Sequence, residues 1–316
     1  MDETYDVVVV GGGAAGLSGA LALGRARRSV LVIDAGDPRN AVAGHVHNYL
    51  GREGTPPGEL LAIARDEVAQ YGVGVRTGTV RSVEASPTGF TVGLQDGQQV
   101  GARRLLVTTG LVDELPAVEG LAQAWGDTVL HCPYCHGWEV RDQALGVLGS
   151  SPFAVHAALL FRQWSADITL FVHTAPTPTD DEREQLAARG VTVIAGEVAA
   201  WGSGGVRMCS GELVPRDALV VAPRFVARAD VLACLGLETT PMEMGGHVMG
   251  TYVAADPTGL TAAPGVWVAG NVADPVAQVI GAAAAGLRAG AAINADLIAE
   301  DTRLAVERAR VFGEAA

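Results

Sequence analysis

Val7-Val8-Val9-Val10-Gly11-Gly12-Gly13-Ala14-Ala15-Gly16 decides how the chain begins to fold. Four consecutive β-branched residues suit a strand covered on both faces, as in a parallel sheet. The glycines at 11, 13 and 16 then fit the spacing G-x-G-x-x-G, and the apolar run Leu17 to Leu23 reads as a helix. A second run, Val30-Leu31-Val32-Ile33, ends on Asp34-Ala35, the acid falling 18 residues after Gly16. Strand, glycine turn, helix, strand and acid within about 30 residues make the dinucleotide-binding unit. Gly11 permits the tight turn, Gly13 admits a pyrophosphate against the backbone, and Gly16 lets helix and strand pack closely. Ala14 and Ala15 open a helix whose free N–H groups and positive end favour phosphate. Asp34 would accept the hydroxyls of an adenosine ribose. The bland alternative is a glycine-rich turn with no ligand.

The rest of the composition narrows the chemistry. The 316 residues carry 22 basic and 35 acidic side chains, a net charge of −13, and every basic residue is arginine. Without lysine there is no Schiff-base nucleophile, no P-loop lysine and no protein-kinase lysine. The acidic balance opposes a nucleic-acid partner, which needs a basic stripe. The length predicts two domains with ample core, and 41 glycines call for a backbone explanation. Four cysteines are too few for a disulfide scaffold. Met1-Asp2-Glu3-Thr4-Tyr5-Asp6 is acidic and runs straight into a strand, unlike a secretory signal. The most apolar stretches, Val7 to Leu23 and Val276 to Ala295, are broken by glycines or Arg288, so no membrane span is expected. A soluble cytoplasmic protein is the expectation.

The middle of the chain repeats the opening unit in eroded form. Ala144 to Leu148 reads as a strand, Pro152 to Trp164 as a helix, and Ile168 to Val172 as the next strand. The turn between them, Gly149-Ser150-Ser151-Pro152-Phe153-Ala154, replaces G-x-G-x-x-G with G-x-S-x-x-A. Beyond the second strand, His173 to Glu182 holds no ribose-binding acid at the strand end and no arginine for a 2′-phosphate. Asp180 to Glu184 reads as the acidic first turn of another helix and would repel a phosphate. A dinucleotide-type fold that has lost its ligand site is the preferred reading over a working nicotinamide site.

His131-Cys132-Pro133-Tyr134-Cys135-His136 precedes this second unit. C-x-x-C allows a small reversible disulfide and is a spacing that tunes thiolate reactivity. Zinc would need two distant ligands, because neighbouring side chains cannot all reach one tetrahedral ion. His45 and His47 are the paired candidates and no second C-x-x-C exists, so redox chemistry is preferred and no metal is expected. Cys209 and Cys234 stand alone and read as buried structural thiols.

Near the C-terminal end, Val266-Trp267-Val268-Ala269-Gly270-Asn271 resembles the segment of two-dinucleotide flavoproteins in which Gly-Asp holds the ribityl chain of FAD. Asn271 stands in place of that aspartate, and its carbonyl can accept one hydroxyl. Asp274 and Pro275 look like the N-cap and first turn of a helix through Ala277-Gln278-Val279-Ile280, aimed at the flavin. The order of these features over nearly the whole chain resembles the low-molecular-weight thioredoxin reductase family. Members typically carry C-A-T-C-D-G, an intact second glycine turn and an H-R-R segment for NADPH. The departures from that pattern resemble its dithiol oxidase branch, which includes gliotoxin- and holomycin-type disulfide-forming oxidases, the holomycin type being nearest in pattern.

That resemblance implies an α/β fold of two Rossmann-like, three-layer domains, the second inserted in the first. The FAD domain would comprise residues 1–110 and 241–316, and residues 111–240 a degenerate NAD(P)-type domain carrying the cysteines. Pro/Gly-rich segments near Gly110-Leu111 and Pro241 offer linkers. Around FAD the resemblance places Gly11, Gly13, Ala14, Ala15, Gly16, Asp34, Ala35, Asn48, Thr109, Gly110, Gly270, Asn271, Gln278 and Val279. It implies that a small-molecule dithiol exchanges with Cys132, that Cys135 lies nearest the flavin, and that O2 takes the electrons as H2O2. Its bases would be His136 or His131, the latter acting with Asn48. A homodimer is implied as well. Alternatives are an NADPH-dependent thioredoxin or disulfide reductase, a non-catalytic flavin redox sensor, and a ferredoxin-fed reductase, which the acidic balance disfavours.

Overall fold

The computed structural model describes residues 3–313, so Met1 and Asp2 of the acidic opening lie outside the described residues. In chain order come β1 (Thr4–Val10), α1 (Ala14–Arg25), β2 (Val30–Asp34), α2 (Pro57–Ala69), β3 (Gly74–Thr77), β4 (Val80–Ser86), β5 (Gly89–Leu94), β6 (Gln99–Val107) and β7 (Leu111–Glu114). The first sheet runs β3-β2-β1-β6-β5-β4. β1 is parallel to both neighbours, with Val7 opposite Val30 and Val10 opposite Val107. The far edge of β6 is shared: Gln99–Ala102 pair antiparallel with β5, and Leu105–Val107 pair parallel with the late strand Val266–Val268. The end of the chain thus completes the sheet that its beginning starts.

Alternation sorts the β-branched runs onto two faces. Val7, Val9, Val30 and Val32 pack with α1 and the C-terminal helix Val279–Gly313. Val8, Val10, Leu31 and Ile33 pack with Val83 and Val92 of the β4–β5 hairpin. β1 is therefore buried on both sides, as its unbroken valine run predicts. α1 and the C-terminal helix approach through glycines: a Cβ on Gly286 would stand 2.7 Å from the carbonyl carbon of Ala15.

A second, all-parallel sheet has the strand order Thr192–Ile194, Ile168–Phe171, Leu145–Leu148, Ala218–Val220, Val129–Leu130. The eroded repeat is thus a dinucleotide-type unit, and the chain has the two-Rossmann α/β fold. Its helix spans Ala154–Phe161, shorter than the Pro152 to Trp164 expected. The acidic stretch does open a helix, Asp180–Ala188, closed at its start by a Thr179–Glu182 capping box.

The two sheets are joined by a third, in which β7 pairs antiparallel with Arg224–Ala227, which also pairs with the hairpin Thr239–Met244/His247–Val253. Pro241 lies within that hairpin, opposite Thr251, where a linker was expected. It sits in the strand of the four-stranded sheet farthest from β7, a position that tolerates a missing N–H. Among the described residues no helix is long and apolar enough to cross a membrane.

Candidate functional site

A cavity of about 830 Å³ runs from the glycine turn after β1 to the cysteine pair, within the range of small-molecule and cofactor sites. At its first end Gly11 has φ +105°, and a Cβ there would stand 2.5 Å from the Thr108 carbonyl oxygen. A Cβ on Gly16 would strike the Gly11 carbonyl, so this glycine serves helix–strand packing rather than lining the cavity. Gly13 is different. It lines the cavity, and nothing lies within 4 Å of its Cβ position. It also caps α1 without any side-chain bond, and no acid lies in the first turn. The helix therefore presents unpaired N–H groups and the positive end of its dipole to an open cradle, which suits a pyrophosphate. Asp34 closes this end, accepting N–H bonds from Gly12 and, at 2.8 Å, from Gly36. Gly11, Gly13, Ala14, Ala15, Asp34, Ala35, Thr109, Gly110, Gly270, Asn271, Gln278 and Val279 all line the cavity. An uncapped helix end, a glycine kept free of side chain and a strand-end acid fit the pyrophosphate and ribose of FAD.

At the other end Val129–Leu130 delivers His131, and Cys132 is the N-cap of the single turn Pro133–His136. Pro133 suits the first helical position, where its missing N–H costs nothing. Cys135 and His136 donate their N–H groups to the Cys132 carbonyl at 3.2 and 3.1 Å. This folds the pair into a disulfide with Cα atoms 5.2 Å apart. Gly137 is forced by the close Pro133 carbonyl and by Trp164, 2.9 Å from its Cβ position. Trp164 also meets the ring of Tyr134 edge-on.

Both flanking histidines line the cavity. Burial holds His131 below the ordinary imidazole range; the charge of Arg39 adds to this, while the Val221 carbonyl and Asp113 oppose it. Its Nδ1 lies 3.2 Å from the Val221 carbonyl, which can only accept, so the neutral ring carries its lone pair on Nε2. His136 is likewise lowered by burial, with Glu139 opposing and His47 assisting. Two imidazoles whose burial favours the neutral form thus flank the disulfide.

Asn48 lies outside the cavity wall. Its side-chain amide donates to the Tyr134 carbonyl at 2.7 Å, and no hydrogen bond joins it to His131 among the described residues. The expected Asn48–His131 partnership is therefore replaced by a clasp on the cysteine turn. Neighbouring His47 is held by Glu53 at 2.5 Å and approached by Glu139 at 3.4 Å.

Asn271 also behaves differently from the aspartate it resembles. Its Nδ2 donates to the carbonyls of Asp274, Pro275 and Ala277, at 3.0, 3.3 and 2.9 Å. A carboxylate could make none of these bonds. Because residues 274–277 form this turn, the helix starts at Val279, and Asp274 is not its N-cap. Cys209 and Cys234 are exposed rather than buried. At the eroded turn, His173 accepts the Val198 N–H on Nδ1 at 3.0 Å, and Arg183 is turned onto Asp180 and the Pro178 carbonyl.

The sequence reading missed Arg39 and Asp113, a forked pair at 2.7 and 2.6 Å in the cavity wall. Asp37-Pro38-Arg39-Asn40 was the available signal: an arginine in a turn directly after the ribose acid.

The sequence profile of the pyridine nucleotide-disulphide oxidoreductase family matches residues 5–295. Thioredoxin reductase sirT of Leptosphaeria maculans is 30% identical over 319 residues, covering 94% of this chain and 95% of sirT. Thioredoxin reductase tcpT of Claviceps purpurea is 28% identical, covering 93% and 95%. The crystal structure of HlmI superposes with a TM-score of 0.89 at 45% identity, covering 97% of this chain and 96% of that one. An oxidoreductase from Agrobacterium tumefaciens gives 0.88 at 36%, covering 94% and 99%.

Proposed function

The chain belongs to the pyridine nucleotide-disulphide oxidoreductase family, on its thioredoxin reductase-like branch, and from that premise we propose that this FAD enzyme is a dithiol oxidase. It closes an intramolecular disulfide in a small natural-product dithiol, a holomycin-type dithiolopyrrolone precursor being the favoured substrate. O2 is the terminal acceptor. One observation carries the reading: the Cys132–Cys135 disulfide and the FAD cradle open on the same cavity, while in the second dinucleotide turn the middle glycine position is filled by the buried Ser151, whose hydroxyl accepts the Phe153 N–H.

Gly11, Gly13, Ala14 and Ala15 would hold the pyrophosphate, with Gly16 setting the close packing of helix and strand behind them, and Asp34 with Ala35 would hold the ribose. Thr109, Gly110, Gly270, Asn271, Gln278 and Val279 would line the flavin, with Asn48 bracing the cysteine turn beside it. When bound, FAD would supply the acceptor for the electron pair of the enzyme dithiol, and O2, leaving as H2O2, the sink for it. His131, with a free Nε2 lone pair, takes the proton of one substrate thiol. The thiolate attacks Cys132 and breaks the Cys132–Cys135 bond, and the second substrate sulfur displaces Cys132. The substrate has then lost two electrons and two protons, and the enzyme holds two thiols. His136, which lines the same cavity, would receive the proton of Cys135. A cytoplasmic homodimer belongs to the same reading.

The test is anaerobic. A small dithiol should bleach the flavin, air should restore it with release of peroxide, and Cys132→Ser should abolish the bleaching. Rapid bleaching by NADPH, with none by dithiols, would overturn the proposal in favour of a reductase.

A further inference from the structure

The ion pair in the cavity wall has no role in the steps above. Arg39 donates from Nε and Nη2 to the two carboxylate oxygens of Asp113, whose side chain is only 7% exposed. Such a buried pair is a weak source of net stability, since desolvation offsets much of the attraction. Its geometry does more. Asp113 on β7 stands directly opposite Phe225 in the antiparallel ladder. The Arg39 guanidinium carbon lies 5.2 Å from the Phe225 ring centre, and that ring meets His131 edge-on, also at 5.2 Å. The remaining arm, Nη1, donates to the Asn271 side-chain oxygen at 3.3 Å. One guanidinium therefore touches both the turn that precedes the C-terminal helix and the aromatic neighbour of the histidine beside the disulfide.

We propose that Arg39, clamped by Asp113, is a positioning residue that fixes Phe225 and His131 at the disulfide and Asn271 at the flavin end of the cavity in one mutual arrangement. The inference rests on the disulfide site described above, but its test needs no substrate. Three charged or titratable groups face His131: Arg39, Asp113 and His136, with the Val221 carbonyl on Nδ1. Burial is the first cause of its lowered titration; Arg39 acts in the same sense and Asp113 in the opposite one. Removing the two charges separately must then move His131 in opposite directions, which a purely structural lesion would not do.

The experiment is a ring-resonance NMR titration of the oxidised, FAD-loaded protein with labelled histidine, His131 being assigned from a His131→Gln variant. Arg39→Met should move the His131 midpoint to higher pH and Asp113→Asn to lower pH, with the double variant returning towards the wild-type midpoint. Arg39→Lys, which keeps the charge but not the fork, should leave the His131 midpoint near the wild type yet displace the His131 ring resonances, and it serves if Arg39→Met does not fold; wild-type ring resonances in Arg39→Lys would overturn the positioning role. Movement in the same direction, or none in Asp113→Asn, overturns the proposal. If the titrations behave as stated but dithiols fail to bleach the flavin, the oxidase reading fails while the positioning role stands.

Discussion

Gly286→Ala should destabilise the protein and loosen its hold on FAD, although alanine is the better helix former. Gly286 lies inside the C-terminal helix, and its Cβ would stand 2.7 and 2.9 Å from the carbonyl carbon and Cα of Ala15, closer still to the carbonyl oxygen. Carbon atoms pack at about 3.5–4.0 Å, so the two helices must part by roughly an ångström. The obstacle is backbone, which cannot rotate away as a side chain can. Overpacking of this kind costs about 1–3 kcal/mol, and a backbone obstacle puts it in the upper half of that range. Helix propensity returns about 1 kcal/mol for Gly to Ala. The net loss is about 1–2 kcal/mol, or a drop in Tm of roughly 2–8 °C at about 2–4 °C per kcal/mol. Ala15 belongs to the first turn of α1, so the same displacement moves the N–H groups offered to the pyrophosphate. The control is Gly281→Ala on the same helix, where the nearest atom to a Cβ is 3.8 Å away and no clash opposes propensity. That variant should hold or raise Tm. Thermal unfolding with and without FAD, and flavin fluorescence titration, read both effects. A Gly286→Ala protein as stable as Gly281→Ala would refute the close approach of the two helices.

Two further perturbations follow from the site. His131 and His136 both titrate below their ordinary range because they are buried. The unfolded chain then binds more protons just below its own imidazole pKa, so stability should fall as pH drops below about 6.5; His131→Gln with His136→Gln should flatten Tm between pH 5 and 7, and an unchanged slope would count against burial as the cause. Asn48 sits at φ +60° with its amide on the Tyr134 carbonyl. Asn48→Gly should keep stability and slow dithiol-driven bleaching, whereas Asn48→Ala should also lose about 1 kcal/mol to backbone strain, and equal rates for Asn48→Gly and the wild type would remove the clasp from the mechanism.

What the sequence revealed was local. Val7 to Val10, the glycine turn and Asp34 lie within one short stretch, and the cysteines close a ring over a single turn, so spacing carries the geometry. The site's remaining contacts join residues far apart in the chain. Arg39 meets Asp113 across 74 positions and Asn48 meets Tyr134 across 86. The first depends on how β7 returns beside Arg224–Ala227, a pairing no local pattern encodes. For Asn48 the resemblance gave a position near the cysteine turn but not the direction of the amide, which donates to the Tyr134 carbonyl. Cys209 and Cys234 were misjudged on a general tendency of thiols to be buried, although Ser210-Gly211 and Gly236 marked each as the edge of a turn. Asn271 was read as an acceptor in place of an acid, while its NH₂ group carries the distinctive work of holding a turn shut.

The two glycine turns, laid side by side, separate what the fold requires from what a ligand requires. At the first position, Gly11 and Gly149 are equally constrained: a Cβ on either would stand 2.5 Å from a carbonyl oxygen, of Thr108 or Val172. Glycine persists there in both units because the strand-to-helix turn demands it. At the last position, Gly16 becomes Ala154, which is buried against its own core and shows that a methyl group can be housed once the helix shifts. The middle position discriminates. Gly13 has nothing within 4 Å of its Cβ, so the fold would accept a side chain there, and the reason for glycine must lie in the cavity it lines. Its counterpart Ser151 carries such a side chain, buried, with its hydroxyl accepting the Phe153 N–H at 3.3 Å. The second unit has therefore kept the glycine its backbone needs and filled the one a pyrophosphate would need. With no arginine between Arg162 and Arg183 to hold a 2′-phosphate, that substitution is the physical reason to look for the electrons in thiols rather than in a nicotinamide.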